Sequence, residues 1–442
     1  MTQHKTLRPP PGFMVGFVVL MLLPVLIAFL DVSLGSFLPY ETRLIIWSQP
    51  WLYVAAFTGF LTWVSARRRN DQFVTVSAFD LGVLGILAVF SVVLSRVVSA
   101  NPEIADLHLL RLGLAILLGV SAYYGMKSYP PRFSQTLYRT FIAAALCVAL
   151  ITLFFIYFQQ ASRDLGASIA WSLPGFGPVR LFGIFFEVAI VLCISLILTA
   201  AAGPARVLLG VALVVLWVAL FWSGGRGALF SLFLTLGLGA LFYRKMAAQM
   251  WLVFLASGAL GALLSLLLWV PDGTSFGLMN LLHTVAREGA NAFSAGRLER
   301  WAAAIGFVGE HPLYGYGLNQ FSNLWSGYTK MDAARGNAGP ISMYFLSYRH
   351  VHNIVFEAFL AWGVIGGGLF LFLGLKTWLK AAKRVLADLP AEKLPAFLAL
   401  NTLLFHANFT GIYIFPHSLF YLGIFFGICL APNPAQNENT NG

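Results

Sequence analysis

The sequence predicts an all-α polytopic membrane protein, and three observations lead to this fold class. Hydrophobic residues make up 59% of the 442 residues and charged residues only 10%, whereas an ordinary globular protein carries roughly 25% charged residues. A chain this apolar cannot cover a water-facing surface, which excludes a soluble enzyme and intrinsic disorder. The apolar runs are continuous rather than alternating, which excludes a transmembrane β-barrel. The 39 Phe, 15 Tyr and 12 Trp fit the aromatic belts of a bilayer protein.

Twelve apolar runs are long enough to cross the membrane, since a helix needs roughly 20 mostly apolar residues to span the hydrocarbon core. They are 13–30, 44–65, 78–98, 107–125, 137–158, 181–202, 206–222, 227–243, 249–270, 352–375, 394–410 and 414–431. The first run follows Lys5 and Arg8 as a signal peptide would. No small-residue cleavage site follows it, so we expect a retained anchor. The sequence therefore predicts about twelve transmembrane helices in one domain, residues 1–442.

The basic residues predict the orientation of these spans. With both termini in the cytoplasm, 16 of the 28 Lys and Arg residues lie on the cytoplasmic side. Six lie in the shorter outward connections and six in the outward segment 271–351, where the positive-inside rule is weak. The net charge of +11 is therefore an orientation signal, and we expect no nucleic-acid partner.

The outward segment 271–351 is much longer than the other connections, and such loops are usually functional. Eleven of the twelve outward basic residues are Arg, whose planar fork suits bidentate contact with phosphate. Within the loop, residues 294–305 predict a helix capped by Ser294, with Arg297, Arg300, Trp301 and Ala304 on one face. This pattern predicts an outward site for an anionic ligand.

Three further outward groups join the loop helix from distant parts of the chain. Arg180 begins the sixth span, Arg226 lies in the turn Ser223-Gly-Gly-Arg-Gly227, and His352 opens the tenth span. Glu187 lies on the helix face of Arg180, roughly 10 Å deeper. An intramembrane carboxylate is a candidate site residue, although Glu187 and Arg180 could instead form a helix-end ion pair.

Other ionisable residues have simpler interpretations. We expect Asp80 and Arg111 to pair across spans three and four. His350 and His352 have no obvious third ligand nearby, and no outward Asp-x-Asp pair is present, so we predict no metal. His350 is a competing base, expected to point away from His352 if the segment is already helical.

The stretch from His352-Asn353 to Gly363-Val-Ile-Gly366 resembles the signature of bacterial O-antigen ligases, which is His-Asn, nine residues, Gly, two residues, Gly. The stretches Ser294-Ala-Gly-Arg297 with Trp301, His311-Pro-Leu-Tyr-Gly-Tyr-Gly317 and Ser223–Gly227 resemble the same ligase/polymerase superfamily. The segment after Arg180 departs from that pattern, because Glu187-Val188 stands where the family tends to have Asn-Pro. We expect Gly363, Gly366 and Gly367 to let a neighbouring helix approach.

The resemblance implies a GT-C-like membrane glycosyltransferase of the inner membrane without a cofactor. Its donor would be an O-antigen on undecaprenyl pyrophosphate and its acceptor lipid A–core oligosaccharide, joined at a periplasmic active site that includes the 271–351 loop. Transfer would be inverting and metal-independent. His352 would be the general base. The resemblance carries over Arg180, Arg226 and Arg297 as pyrophosphate ligands. From the residue pattern itself we add Arg300 to these ligands, and Asn353, Glu187 and Tyr314 as candidate orienting residues.

Alternatives within the same superfamily are an O-antigen polymerase and a protein O-oligosaccharyltransferase. A transporter of lipid-linked glycan belongs to a different class. Transporters place charges near the membrane midplane on discontinuous helices. The charges of this chain gather at one face, which favours an enzyme.

Overall fold

The computed structural model describes residues 12–34, 40–69, 77–155, 172–173, 177–199, 203–270, 277–279, 297–325, 350–388 and 392–432. The first nine helices are α1 (Gly12–Leu34), α2 (Tyr40–Arg69), α3 (Ala78–Val97), α4 (Pro102–Ser128), α5 (Pro130–Phe155), α6 (Val179–Thr199), α7 (Pro204–Ser223), α8 (Arg226–Phe242) and α9 (Arg244–Ser265). Two loop helices follow, α10 (Arg297–Glu310) and α11 (Phe321–Leu324). The last three are α12 (Ile354–Asp388), α13 (Leu394–His406) and α14 (Pro416–Leu430).

The architecture confirms an all-α polytopic membrane protein. Apart from a two-residue antiparallel pair, β1 (Ser172–Leu173) with β2 (Gly177–Pro178), the regular elements of the described residues are helices. Each of the twelve predicted apolar runs overlaps one of the helices α1–α9 or α12–α14. Eight of these helices are long and apolar enough to cross a membrane by themselves. The other four are α2 and the shorter helices α8, α13 and α14.

Local sequence signals fix several helix ends. Asn101 caps α4, since its side-chain oxygen accepts a hydrogen bond from the Ile104 amide at 3.3 Å, and Pro102 occupies the first helical position. Ser77 caps α3 in the same way through the Asp80 amide. Gly224 ends α7 in the left-handed conformation, with φ 69°, which glycine adopts without strain. The chain then turns directly into α8.

The core forms around α6, whose described side chains from Phe182 to Ile194 are all buried. Helix α6 packs against α5, α7, α8 and α13, while α4 packs along α14 and α1 along α2 and α5. Large apolar side chains such as Leu26, Val89 and Leu252 are more than half exposed on the outside of the bundle. An apolar exterior around a packed interior is what a bilayer requires.

The connections predicted to lie outside meet at one end of the bundle. The Ser99 hydroxyl donates to the Tyr316 carbonyl oxygen at 3.0 Å, and the Asn101 amide donates to the Gln320 side chain at 2.9 Å. The Trp222 carbonyl oxygen accepts from the Gly277 amide at 2.6 Å. We call this the site end; it comprises residues 97–102, 179–183, 222–228, 297–325, 350–356 and 406–416.

Helices α13 and α14, which meet the site end at His406 and Pro416, are shorter than a full membrane span. With 13 and 15 residues, they extend about 20 and 22 Å at 1.5 Å per residue, less than the roughly 30 Å of a hydrocarbon core. The irregular connection 407–415 between them is largely buried. Irregular backbone at membrane depth is tolerated only where it is enclosed by protein or lines a cavity, so this connection is a structural sign of a recessed site.

Candidate functional site

His352 stands immediately before α12 in a strained conformation. It is 4% exposed and has φ 65°, a region that residues with a Cβ rarely enter. The next residue, Asn353, caps the helix: its side-chain oxygen accepts from the amides of Val355 at 2.9 Å and Phe356 at 3.2 Å. The Asn353 side chain also donates to the Asn408 carbonyl oxygen at 3.4 Å. Asn353 thus fixes where α12 begins and how His352 enters it.

His350 lies beside His352 rather than pointing away from it. The two ring centroids are 4.0 Å apart, because the helix starts only at Ile354 and residues 350–353 are not helical. The condition under which His350 was expected to point away from His352, a helical segment at this position, is therefore not met. Nε2 of His350 accepts a hydrogen bond from the Gly411 amide at 2.8 Å. A nitrogen engaged in that bond is not available as a base, so His350 supports the segment.

The sequence analysis missed Glu357, a buried carboxylate five residues after His352. Its Oε2 accepts from the Tyr413 hydroxyl at 3.3 Å, and the carboxylate also accepts from the backbone amides of Val351 and Asn319. One side chain therefore ties the His352 segment to the 407–415 connection and to the turn that follows α10. An acidic residue inside an otherwise apolar span was the signal that could have identified it.

Helix α10 confirms the predicted loop helix, and it packs on the His352 segment. The Trp301 indole donates to the Val351 carbonyl oxygen at 3.2 Å, and its ring lies 5.8 Å from that of Phe356. Arg297 and Arg300 lie half-buried in the first turn, and the Arg300 guanidinium stacks 5.6 Å from the Trp325 ring centroid. The predicted cap, Ser294, falls outside the described residues. The N-terminus of α10 and its two arginines are thus held close to residues 350–356.

Arg180 and Arg226 begin two helices that pack against each other. Arg180 is the second residue of α6 and Arg226 is the first residue of α8. A Cβ placed on Gly183 would lie 3.4 Å from the Ala228 Cβ, so the first turns of these helices are in contact. The Arg226 side chain is half-buried, while the Arg180 side chain lies outside what the structure describes. Both positions lie at the site end, beside the positive ends of two helix dipoles.

Glu187 pairs with His406, the last residue of α13, which the sequence analysis did not choose. His406 Nδ1 lies 2.8 Å from both Glu187 carboxylate oxygens, and the side chains are 3% and 0% exposed. On the other side of the ring, a Cβ on Gly227 would lie 3.3 Å from His406 Nε2. An ion pair between Glu187 and Arg180 stays a prediction, because the Arg180 side chain lies outside the described residues; the Glu187 partner that the structure shows is His406.

The backbone after His406 leads directly to the His352 segment. The Ile354 amide donates to the Ala407 carbonyl oxygen at 3.0 Å, next to the Asn353–Asn408 contact. The site end therefore brings together the beginnings of α6, α8, α10 and α12 around a short buried connection. Four predicted residues, Arg226, Arg297, Arg300 and His352, are partly or fully buried there.

Tyr314 lies farther from His352. Its phenol contacts His311 Nδ1 at 2.9 Å, and its backbone nitrogen would lie 2.5 Å from a Cβ on Gly363. Gly363 is ten residues along α12 from Asn353, which corresponds to about 15 Å. An orienting role for Tyr314 stays a prediction. Its contacts place it beside α12 at Gly363, away from the helix start that carries His352.

The close approach at Gly363 comes from the 311–317 turn, not from a neighbouring helix as expected. Gly363 interrupts α12 with φ 65° and ψ −173°. The turn enters the gap and supplies hydrogen bonds to the broken helix: Tyr316 N to Leu360 O at 2.8 Å, Gly317 N to Ala361 O at 3.0 Å and Val364 N to Pro312 O at 2.7 Å. The turn therefore anchors the part of α12 that carries the His352 segment.

Tyr316 in this turn is a hydrogen-bond donor. Its hydroxyl donates to Glu310 Oε2 at 2.6 Å. Burial, together with this carboxylate, raises the pKa of the Tyr316 hydroxyl above its usual value. The phenol therefore stays protonated and holds α10 to the turn.

The expected Asp80–Arg111 pair does not form. Asp80 instead pairs with Lys376 at 2.6 Å, at the end of the bundle opposite the site. Arg111 is buried near the site end, where its guanidinium donates to the Ile414 carbonyl oxygen at 3.0 Å and lies 3.4 Å from His108 Nε2. Asp80 lies in the first turn of α3, whereas Arg111 lies nine residues into α4 from the site end, so the two residues are at different depths in the bundle.

Within the part of the chain that the structure describes, no group of three His, Cys, Asp or Glu side chains is arranged to hold a metal ion. The positive groups that converge at the site end are arginines and helix N-termini. This combination suits an anion with several oxygens.

Comparison with known families agrees with the geometry. Residues 211–371 match the family model described as O-antigen ligase, which confirms the resemblance to the O-antigen ligase/polymerase superfamily. The matched range contains Arg226, α10 and His352–Asn353, whereas Arg180, Glu187 and His406 lie outside it. None of the curated proteins matches the chain.

Proposed function

We propose that this membrane protein, whose residues 211–371 match the family model described as O-antigen ligase, is a GT-C-like glycosyltransferase that completes lipopolysaccharide. It transfers O-antigen polysaccharide from undecaprenyl pyrophosphate to lipid A–core oligosaccharide. The reaction takes place at the periplasmic face of the bacterial inner membrane. The observation that carries this proposal is the strained, buried His352 within the matched range, held at the end of the bundle where the arginine-bearing helices begin.

The strain at His352 supports a functional role. A residue with a Cβ in the left-handed region costs of order 1–3 kcal/mol, and such strain persists where the surroundings enforce it. Here Asn353 fixes the following helix, Trp301 binds the Val351 carbonyl oxygen, and Glu357 binds the Val351 amide. Glycine would adopt this backbone without strain, so the imidazole is kept in place at an energetic cost.

The arginines account for the departure of the donor diphosphate. When the sugar C1–O bond breaks, negative charge develops on the leaving phosphate oxygen. Arg226, Arg297 and Arg300 supply guanidinium donors, and the positive ends of the α8 and α10 helix dipoles lie beside them. Arg180 begins α6 in contact with α8 and completes the set. Preorganised donors of this kind stabilise developing charge without a metal ion.

His352 supplies the base. The acceptor hydroxyl loses its proton as its oxygen attacks C1, and neutral imidazole, with an unperturbed pKa of about 6.5, accepts a proton near neutral pH. The C1–O bond to the diphosphate breaks as the new glycosidic bond forms on the opposite face, so the anomeric centre inverts. The buried position of the site disfavours attack by water on the donor.

The test is product analysis with purified protein, radiolabelled lipid-linked O-antigen and lipid A–core. A ligase moves label onto lipid A–core, a polymerase lengthens the lipid-linked glycan, and a transporter forms no new glycosidic bond. His352→Ala is the negative control. A parallel reaction with EDTA should run at the same rate; loss of transfer that Mg²⁺ restores would contradict the metal-independent chemistry.

A further inference from the structure

We infer that Glu187 and His406 form a positioning pair that fixes the start of α8, which carries Arg226, relative to the His352 segment. The inference rests on the proposed transfer reaction and adds two residues outside the family-matched range. Neither is argued to touch the substrate. Their role is to hold the diphosphate-binding groups and the base at a fixed separation.

The Glu187–His406 pair is costly to bury. Both side chains are buried, and His406 Nδ1 lies 2.8 Å from each carboxylate oxygen of Glu187. Desolvating a carboxylate and an imidazole is costly, and an apolar pair of similar volume often packs with equal or better stability. Stability alone therefore does not explain why these two positions are polar.

The His406 ring lies where three helices meet. Nδ1 faces Glu187 on α6, the ring belongs to the end of α13, and Nε2 faces Gly227, the residue after Arg226 on α8. A Cβ at Gly227 would lie only 3.3 Å from Nε2. The ring thus sets how closely the first turn of α8 approaches α6 and α13.

The residues that follow His406 are hydrogen-bonded to the segment that carries the base. Ala407, the next residue, accepts from the Ile354 amide at 3.0 Å, and Asn408 accepts from the Asn353 side chain at 3.4 Å. Farther along the same connection, the Gly411 amide donates to His350. A displacement of His406 would therefore also move Ala407 and Asn408, and with them the hydrogen bonds that hold the His352 segment.

A simple structural role is the competing explanation, and the chain offers a matched control for it. One turn before His406, the Thr402 hydroxyl donates to the Thr235 hydroxyl at 3.0 Å, which is a buried polar contact between the same helices α13 and α8. Thr402→Val removes this contact without touching the Glu187–His406 pair. If buried polar contacts merely hold the helices together, Thr402→Val and changes at His406 should have similar effects.

The test compares His406→Leu, the double variant Glu187→Leu/His406→Leu and Thr402→Val with the parent protein. His406→Leu leaves a buried carboxylate unpaired and should lower the thermal midpoint. The double variant should recover most of that loss, yet its turnover number should stay at least about 10-fold low, because a displacement of about 1 Å can reduce the rate by about 10²-fold. Thr402→Val should transfer at close to the parent rate.

Hydrogen–deuterium exchange of the 350–356 amides gives a readout that does not need activity. These amides should exchange faster in the double variant than in the parent protein, and at the parent rate in Thr402→Val. A double variant that regains both turnover and protection would overturn the inference, as would one that is slow with unchanged exchange. A parent protein that transfers no glycan, with the exchange differences present, would refute the proposed function and leave the positioning pair intact.

Discussion

Replacing Gly363 by Ala tests how the 311–317 turn anchors α12. Gly363 has φ 65° and ψ −173°, a combination reached almost only by glycine. An added Cβ would lie 2.3 Å from the Leu313 carbonyl carbon and 2.5 Å from the Tyr314 nitrogen. These are main-chain atoms, so the clash cannot be relieved by rotating a side chain.

The expected cost follows from two contributions. Backbone strain of this type contributes of order 1–3 kcal/mol. Displacing the turn also weakens the three main-chain hydrogen bonds between it and α12, each worth roughly 0.5–1.5 kcal/mol net. We therefore expect Gly363→Ala to destabilise the protein by about 3 kcal/mol or more.

Gly374→Ala is the matched control in the same helix. A Cβ at Gly374 would meet nothing within 4 Å, and alanine is favoured over glycine inside a helix by roughly 0.8–1 kcal/mol. Thermal unfolding of both variants in the same detergent should give a midpoint several degrees below the parent protein for Gly363→Ala, and an equal or higher midpoint for Gly374→Ala. Equal midpoints for the two variants would refute the argument.

Three further predictions concern the site and its orientation. His352→Ala and His352→Asn, the latter compatible with left-handed backbone, should abolish transfer while lipid-linked donor still binds; normal transfer, or loss of donor binding, would exclude His352 as the base. Arg226→Lys and Arg297→Lys keep the charge but lose the two-donor fork, and each should reduce turnover by about 10²-fold or more, whereas near-normal rates would make these arginines structural. In intact cells, a membrane-impermeant thiol reagent should label Glu299→Cys and not Lys245→Cys, and the reverse pattern would invert the topology.

Much of the fold could be predicted because hydropathy and length determine helices in a bilayer. All twelve apolar runs became helices, and the loop helix was predicted from its one-sided arginines and Trp301. The lengths of α13 and α14 were overestimated. The residues after His406 are as apolar as a span, yet they form a buried irregular connection, and hydropathy does not distinguish lipid-facing backbone from backbone enclosed by protein.

The site was predicted in part, because a motif names residues and not their partners. Arg226, Arg297, Arg300 and His352 all lie within the site end. Glu187 was recognised as a buried carboxylate, but its partner His406 is 219 residues away, and nothing local in the sequence links them. Gly363 was assigned to helix packing because a positive φ cannot be read from a Gly-x-x-Gly spacing.

The main-chain contact between the 311–317 turn and α12 has an evolutionary consequence. Since the contact uses amides and carbonyls, it places few demands on the side chains at Leu313 and Tyr314, which are 62% and 38% exposed. As far as this contact is concerned, substitutions at these two positions can change the surface of the turn while α12 keeps its anchorage. Only Gly315, Gly317 and Gly363, each with positive φ, are constrained by the contact itself. Selection can therefore act on the exposed side chains of the turn separately from the glycines that hold the turn against α12.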